Sequence, residues 1–206
     1  MAEDFNLPQA SDGEIHQAQN RLVPLRFLPN QPWYFLITVK EEIDRIFQPS
    51  SAKRAQFDLI LAGKRLKEAY ALVQKGDLQG SSNALLKYSE RLVKLDENLN
   101  RARSQNQEVN PLVLAMAEQF KSHEVLIFAI NDSRKKQASD SDLENAFKKA
   151  LGAFIASVNN LNQIKPGVRD RFKSATESAK PNESTDTAVP QEEAPKRTYS
   201  PRKIIY

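Results

Sequence analysis

Six apolar side chains, Ala55, Leu59, Ala62, Leu66, Ala69 and Val73, recur along one stretch at intervals of three and four residues. That interval returns to one face of a helix at every turn, but scatters over both faces of a strand. Three further stretches repeat the pattern. Leu85, Tyr88, Leu92, Leu95, Leu99 and Ala102 form one stripe. Leu112, Met116, Phe120, Ile127 and Ile130 form another, and Leu143, Phe147, Leu151, Phe154, Ile155, Val158 and Leu161 a third. A shorter one, Phe35, Val39, Ile43 and Ile46, precedes them all. A chain built this way has to bury helix against helix. Its composition agrees: only 6 of 206 residues are Gly, and residues that lose little freedom in a helix dominate.

Local signals bound these helices. Pro32 suits a first turn, where a missing N–H costs nothing, and Gln48-Pro49 ends the run, which predicts a helix over 32–47. The second helix spans 49–75, with Gly76 as its C-terminal cap. Ser81 caps a third over 82–103, antiparallel to the second because the link is short. Residues 104–109 read as a polar link, and Asn110-Pro111 opens a fourth helix over 111–130. Within it, 125–130 is apolar nearly all round, which marks a central position. A polar stretch over 131–140 follows. Ser141-x-x-Glu144 reads as a capping box for a fifth helix ending near 164, where Pro166-Gly167 breaks the run before a short amphipathic segment to 179.

The ends read differently. Pro8, Gly13, Pro24 and Pro29 punctuate residues 1–29, which predicts an irregular strap. Residues 180–206 hold four prolines among Ser, Thr and Glu, which predicts a disordered tail. The fold class expected is therefore all-α: a helical bundle or elongated helical array of about five main helices. Residues 30–103 form a leading helix plus a helical hairpin, and residues 110–179 pack on it as C-terminal helices. One domain is favoured over a split at 104–110.

The first hairpin carries further detail. Leu28-Pro29-x-x-Pro32-Trp33-Tyr34-Phe35-Leu36 leads into Glu41 and Glu42. Phe47-x-Pro49, Lys53-Arg54-Ala55, Ala62-x-x-Arg65-Leu66-x-Glu68-Ala69 and Leu72-x-x-Lys75-Gly76 follow. In this combination the segment from Leu28 to about Ala102 resembles an uncharacterised bacterial helical domain family, a domain of unknown function found mostly in exported proteins. The resemblance implies a helical hairpin with a leading helix, and a life outside the cytoplasm or at the cell envelope. It implies no activity. Ile37 stands where the family usually has Lys. The acidic Met1-Ala2-Glu3-Asp4-Phe5 has neither the basic nor the apolar region of a secretory signal, so as written the chain reads as cytoplasmic.

Chemistry-bearing motifs are scarce. With no Cys there is neither disulfide nor thiolate ligand. His16 and His123 are far apart, Glu118 lies five residues before His123, and the Glu-x-x-His spacing that points ligands into a bundle is missing. His123 is expected at the surface or half-buried. Phosphate-loop and nucleophile-elbow patterns are absent. Acid pairs such as Glu41/Glu42 and Asp140/Asp142 read as solvated faces and helix starts. The expectation is a non-enzymatic structural or protein-interaction module with no cofactor, no metal and no small-molecule substrate.

Two places are candidates for partner binding. Trp33-Tyr34-Phe35 is the one dense aromatic cluster, either an anchor for the first helix or an exposed patch. At the C-terminus, Lys196, Arg197, Tyr199, Arg202, Lys203, Ile204, Ile205 and Tyr206 set basic residues beside an apolar end, suited to a protein, an anionic membrane surface or nucleic acid. With Lys53, Arg54, Lys64, Arg65 and Lys67 on the second helix and a net charge of +4, this tail supports an alternative reading, a cytoplasmic nucleic-acid or ribonucleoprotein accessory factor. On the second helix the expected arrangement is a solvated, salt-bridged face; the place of Arg65 and Glu68 in the pattern of the family it resembles implies instead that this pair ties helices together.

Overall fold

Every stripe read from the sequence lies on a helix, but one of them faces the opposite way from the rest. The computed structural model describes residues 5–25, 28, 31, 33–137 and 140–178. In chain order the helices are α1 Asp12–Arg21, α2 Tyr34–Ile46, α3 Ser51–Gln74, α4 Leu78–Ser104, α5 Asn110–Lys135 and α6 Ser141–Ile164. A 3-10 turn, Arg169–Phe172, leads into the short α7, Lys173–Ser178. Among the described residues there is no strand, and no helix is long and apolar enough to cross a membrane. Pro32 and residues 179–206 lie outside the described residues, so the N-terminal start at Pro32 and the tail candidates from Lys196 to Tyr206 do too.

The α3–α4 hairpin is the centre of the molecule, and the reversal between its helices is built from hydrogen bonds. Gly76 adopts φ +74°, the left-handed conformation that only glycine takes cheaply. This lets the Asp77 N–H donate to Leu72 O at 3.0 Å and the Gly76 N–H to Val73 O at 3.1 Å, which satisfies the last carbonyls of α3. Asp77 then accepts from the Gly80 N–H at 2.8 Å and caps α4. Helix α4 thus begins at Leu78, four residues earlier than expected from Ser81. Ser81 is instead buried inside the first turn, where its hydroxyl donates to Ala69 O.

Other caps are also displaced from the sequence reading. Asp140, not Ser141, caps α6, because its carboxylate accepts from the Leu143 N–H at 2.8 Å. Helix α5 starts at Asn110 behind Val109 and runs through the expected polar stretch to Lys135. The link before it has a second duty. Gln105 accepts from the Ser51 hydroxyl and Gln107 from the Ala52 N–H, so the link serves the start of α3.

The apolar faces of α3, α4, α5 and α6 meet in one contiguous core that runs from Leu7 to Ala175. Helix α3 packs chiefly on α4, α4 also on α6, and α5 on α3. Edge-on rings extend the core outward: Phe120 to Phe154 at 5.4 Å, and Phe154 to Phe172 of the 3-10 turn at 5.9 Å. As its all-round apolar stretch predicts, α5 is covered on several sides.

One of those covers corrects the sequence reading of the N-terminus. Residues 12–21 form α1 rather than a strap. Ser11 and Glu14 make a reciprocal capping box, and Gly13 falls within the first turn, where it does not interrupt the helix. Helix α1 lies on α5. Beyond its end, Leu22 reaches α3 at Gly63, where an added Cβ would stand 2.8 Å from Leu22 Cδ2 and 2.9 Å from His123 Nε2.

Candidate functional site

Two stripes run along α2. The apolar one predicted from the sequence, extended by Leu36 and Phe47, occupies one side. Tyr34, Thr38, Glu41, Glu42 and Arg45 occupy the other, at the same helical interval. It is this second stripe that meets the bundle. The expectation that Glu41 and Glu42 sit on a solvated face is therefore corrected: Glu41 is buried and Glu42 pairs with Arg91 of α4.

The reason lies in α3. Its apolar stripe is already spent on α4 and α5, and its outer face carries Asp58, Arg65 and Glu68, seven and three residues apart and so on one side of the helix, with Lys64 beside them. Two ion clusters result. In the first, the Tyr34 hydroxyl donates to Glu68 Oε2 at 2.7 Å, and Arg65 Nη1 donates to both Glu68 oxygens at 2.8 Å. The other Arg65 nitrogen donates to Glu41, which also receives Lys64. In the second, Arg45 Nε donates to Asp58 Oδ1 at 2.6 Å and Asn98 Nδ2 to Asp58 Oδ2 at 2.8 Å. Arg91 joins Asp58 to Glu42. Each cluster holds two cations and two carboxylates, so neither leaves a net charge in the interior.

Burial and charge act against each other at these groups. Burial raises the Tyr34 hydroxyl, the adjacent Glu68 carboxylate raises it further, and the phenol stays protonated. At Arg65, burial favours loss of the charge, and Glu68, Tyr34 and Glu41 outweigh it, which holds the guanidinium above its ordinary value. At Glu42, burial pushes upward, and the Arg91 hydrogen bond and charge override it to leave the carboxyl below its usual range. An open cleft of about 570 Å³ passes over Tyr34 and Glu68, with Asp77, Asn83, Lys87 and Glu90 along it. Lys87 Nζ lies 5.6 Å from the centre of the Tyr34 ring.

With its charged side docked, α2 turns its apolar stripe to solvent. Trp33, Phe35, Leu36, Val39, Ile43, Ile46 and Phe47 are between 48% and 79% exposed. The aromatic cluster is thereby divided. Tyr34 is the anchor, turned inward, while Trp33 and Phe35 belong to the exposed surface. The basic helix is likewise corrected. Lys64 and Arg65 are buried against Glu41, and Lys67 donates to Gln19 O at 2.7 Å, so three of its five cations are bound inside the fold. The pairing of Arg65 with Glu68 does tie helices together, through Tyr34.

His123 also departs from expectation, being fully buried. Its ring stands edge-on to Phe120 and Tyr88, Nδ1 lies 3.4 Å from the Tyr88 hydroxyl, and burial pushes it down to about 3, so it is neutral. Among the described residues no three His, Asp or Glu side chains group as metal ligands.

Besides the Arg65 and Glu68 pair and the aromatic anchor, the sequence held one further signal for this site, a second period. Tyr34, Thr38, Glu41 and Arg45 on one helix, with Asp58, Arg65 and Glu68 on the next, are charged stripes of matching pitch.

Residues 26–124 match the family model described as Domain of unknown function (DUF5667), just under half of the chain. The match takes in all of α2, α3 and α4 and continues into α5 as far as Glu124, beyond the Ala102 limit of the resemblance. Both ion clusters and the exposed stripe fall inside it. No curated protein and no solved structure matches the chain.

Proposed function

We propose that this chain is a non-enzymatic protein-interaction module whose contact surface is the outward face of α2. The observation that carries the reading is the inverted seating of that helix. A helix bearing one apolar and one charged side ordinarily buries the apolar side. Here the charged side is buried at the expense of desolvating Glu41, Arg65, Glu68 and Asp58, and the apolar side is kept free. Contiguous exposed apolar surface beyond a few hundred Å² marks an interaction site on a folded protein. The non-enzymatic part is supported by the state of the reactive groups. His123 is sealed in the core, and the buried carboxylates of the two clusters are all engaged by cations.

A photo-reactive residue placed at Phe35 or Ile46 in cells tests this. Adducts with protein are expected there, and none with the same residue at Asn100, an exposed position on α4. Equal labelling at all three positions, or none at any, would sink the reading.

A further inference from the structure

We infer that the partner which covers the α2 face is a second copy of this chain, packed antiparallel through α2 about a two-fold axis at the level of residue 41. This rests on the interaction reading above and names its partner.

Three observations support a self-complementary contact. The first is the order of the stripe. Phe35, Leu36, Val39, Ile43, Ile46 and Phe47 are spaced symmetrically about position 41. An antiparallel pair therefore sets Phe35 opposite Phe47 of the second copy, Leu36 opposite Ile46, and Val39 opposite Ile43. An isologous interface demands this reciprocity.

The second is area. Seven large apolar side chains, each about half exposed or more, present roughly 700–800 Å², which is about what each partner of a stable complex buries.

The third is charge. Lys40 and Asp44 form an exposed ion pair along one edge of the stripe, 2.7 Å apart, with side chains 75% and 42% exposed. A two-fold axis brings the same edge of each copy together in opposite directions. Lys40 then meets Asp44 of the second copy, and Asp44 meets its Lys40. On the other edge Glu42 is already neutralised by Arg91.

The same features disfavour other occupants. Beside the stripe Lys40 is paired with Asp44, and Glu41, Glu42 and Arg45 are neutralised within the fold, so the face offers an anionic lipid surface no excess of positive charge. Residues 179–206 carry five large apolar side chains, Val189, Tyr199, Ile204, Ile205 and Tyr206, scattered among charged and polar ones, fewer than the seven of the face.

Sedimentation velocity on the full chain over a ~100-fold range of concentration is the test. A dimer is expected, and a Val39→Lys, Ile43→Lys variant should sediment as a monomer while its helical circular dichroism is unchanged. Lys40→Glu and Asp44→Lys should each weaken the dimer about 10-fold, and mixing the two chains should restore it, because each then supplies the charge the other lacks. A chain monomeric throughout overturns the inference, and so does a dimer that the mixture fails to restore. A photo-reactive residue at Ile43 separates this failure from that of the interaction reading. Adducts with another protein leave the reading standing and remove the second copy, whereas no protein adduct removes both. Co-sedimentation of the chain with anionic vesicles, lost in the Val39→Lys, Ile43→Lys variant, would assign the face to lipid and overturn the inference too.

Discussion

At the scale of single residues, Arg65 has the most depending on it. It is the one group that bridges Glu68 of its own helix and Glu41 of α2. Without it Glu41 keeps Lys64, but Glu68 is left buried with a phenol as its only donor. Arg65→Met is expected to cost about 3–5 kcal/mol in denaturant unfolding, because an uncompensated buried charge remains. Adding Glu68→Leu should recover most of that loss. His123 and Glu124 are neighbours with opposite effects. Burial holds His123 near 3, below its ordinary 6.5, so its contribution to stability is complete above 6.5 and is lost as pH falls toward 3. Burial raises Glu124 to about 7, above its ordinary 4.5, so its contribution is complete below 4.5 and is lost as pH rises toward 7. Between 4.5 and 6.5 the two slopes oppose each other. Glu124→Gln should expose the histidine slope, with stability rising by up to about 1.4 kcal/mol per pH unit across that window. A Glu124→Gln profile as flat as that of the parent chain would refute the pairing.

At the scale of elements, close approach and capping decide where helices sit. Gly63 lets Leu22 and His123 reach the α3 backbone, and an alanine there puts a Cβ under 3.0 Å from both. Gly63→Ala should cost about 1–3 kcal/mol by overpacking and loosen α1, seen as faster hydrogen exchange over residues 12–21. Helix α1 also illustrates what periodicity misses. Its apolar residues are few, and Pro8 and Gly13 stand beside and within it as residues that ordinarily break helices. The Ser11 and Glu14 box was present in the sequence but carries no information about a surface to pack on. Asp77 and Asp140 show the same limit: Ser81 and Ser141 are equally good capping residues, but the carboxylates of the aspartates accept the cap bonds from Gly80 and Leu143.

At the scale of the whole molecule, the ends are tied to one core. Phe172 closes a line of rings through Phe154 to Phe120, and so anchors the 3-10 turn and α7. Phe172→Ala should cost about 3–5 kcal/mol in thermal or denaturant unfolding, as a full core aromatic does, although it lies near the end of the described chain. The all-α class, the five main helices and the core faces of α3, α4, α5 and α6 were determined by the sequence alone, because an apolar stripe of helical period has few other ways to leave water. Periodicity shows that a helix has two sides, but not which side turns inward. For α2 that choice was made by the tertiary structure. The surface it met was charged, the outer face of α3 with Arg91 of α4 beside it, and docking Tyr34, Glu41, Glu42 and Arg45 there left Phe35, Val39, Ile43 and Ile46 facing outward.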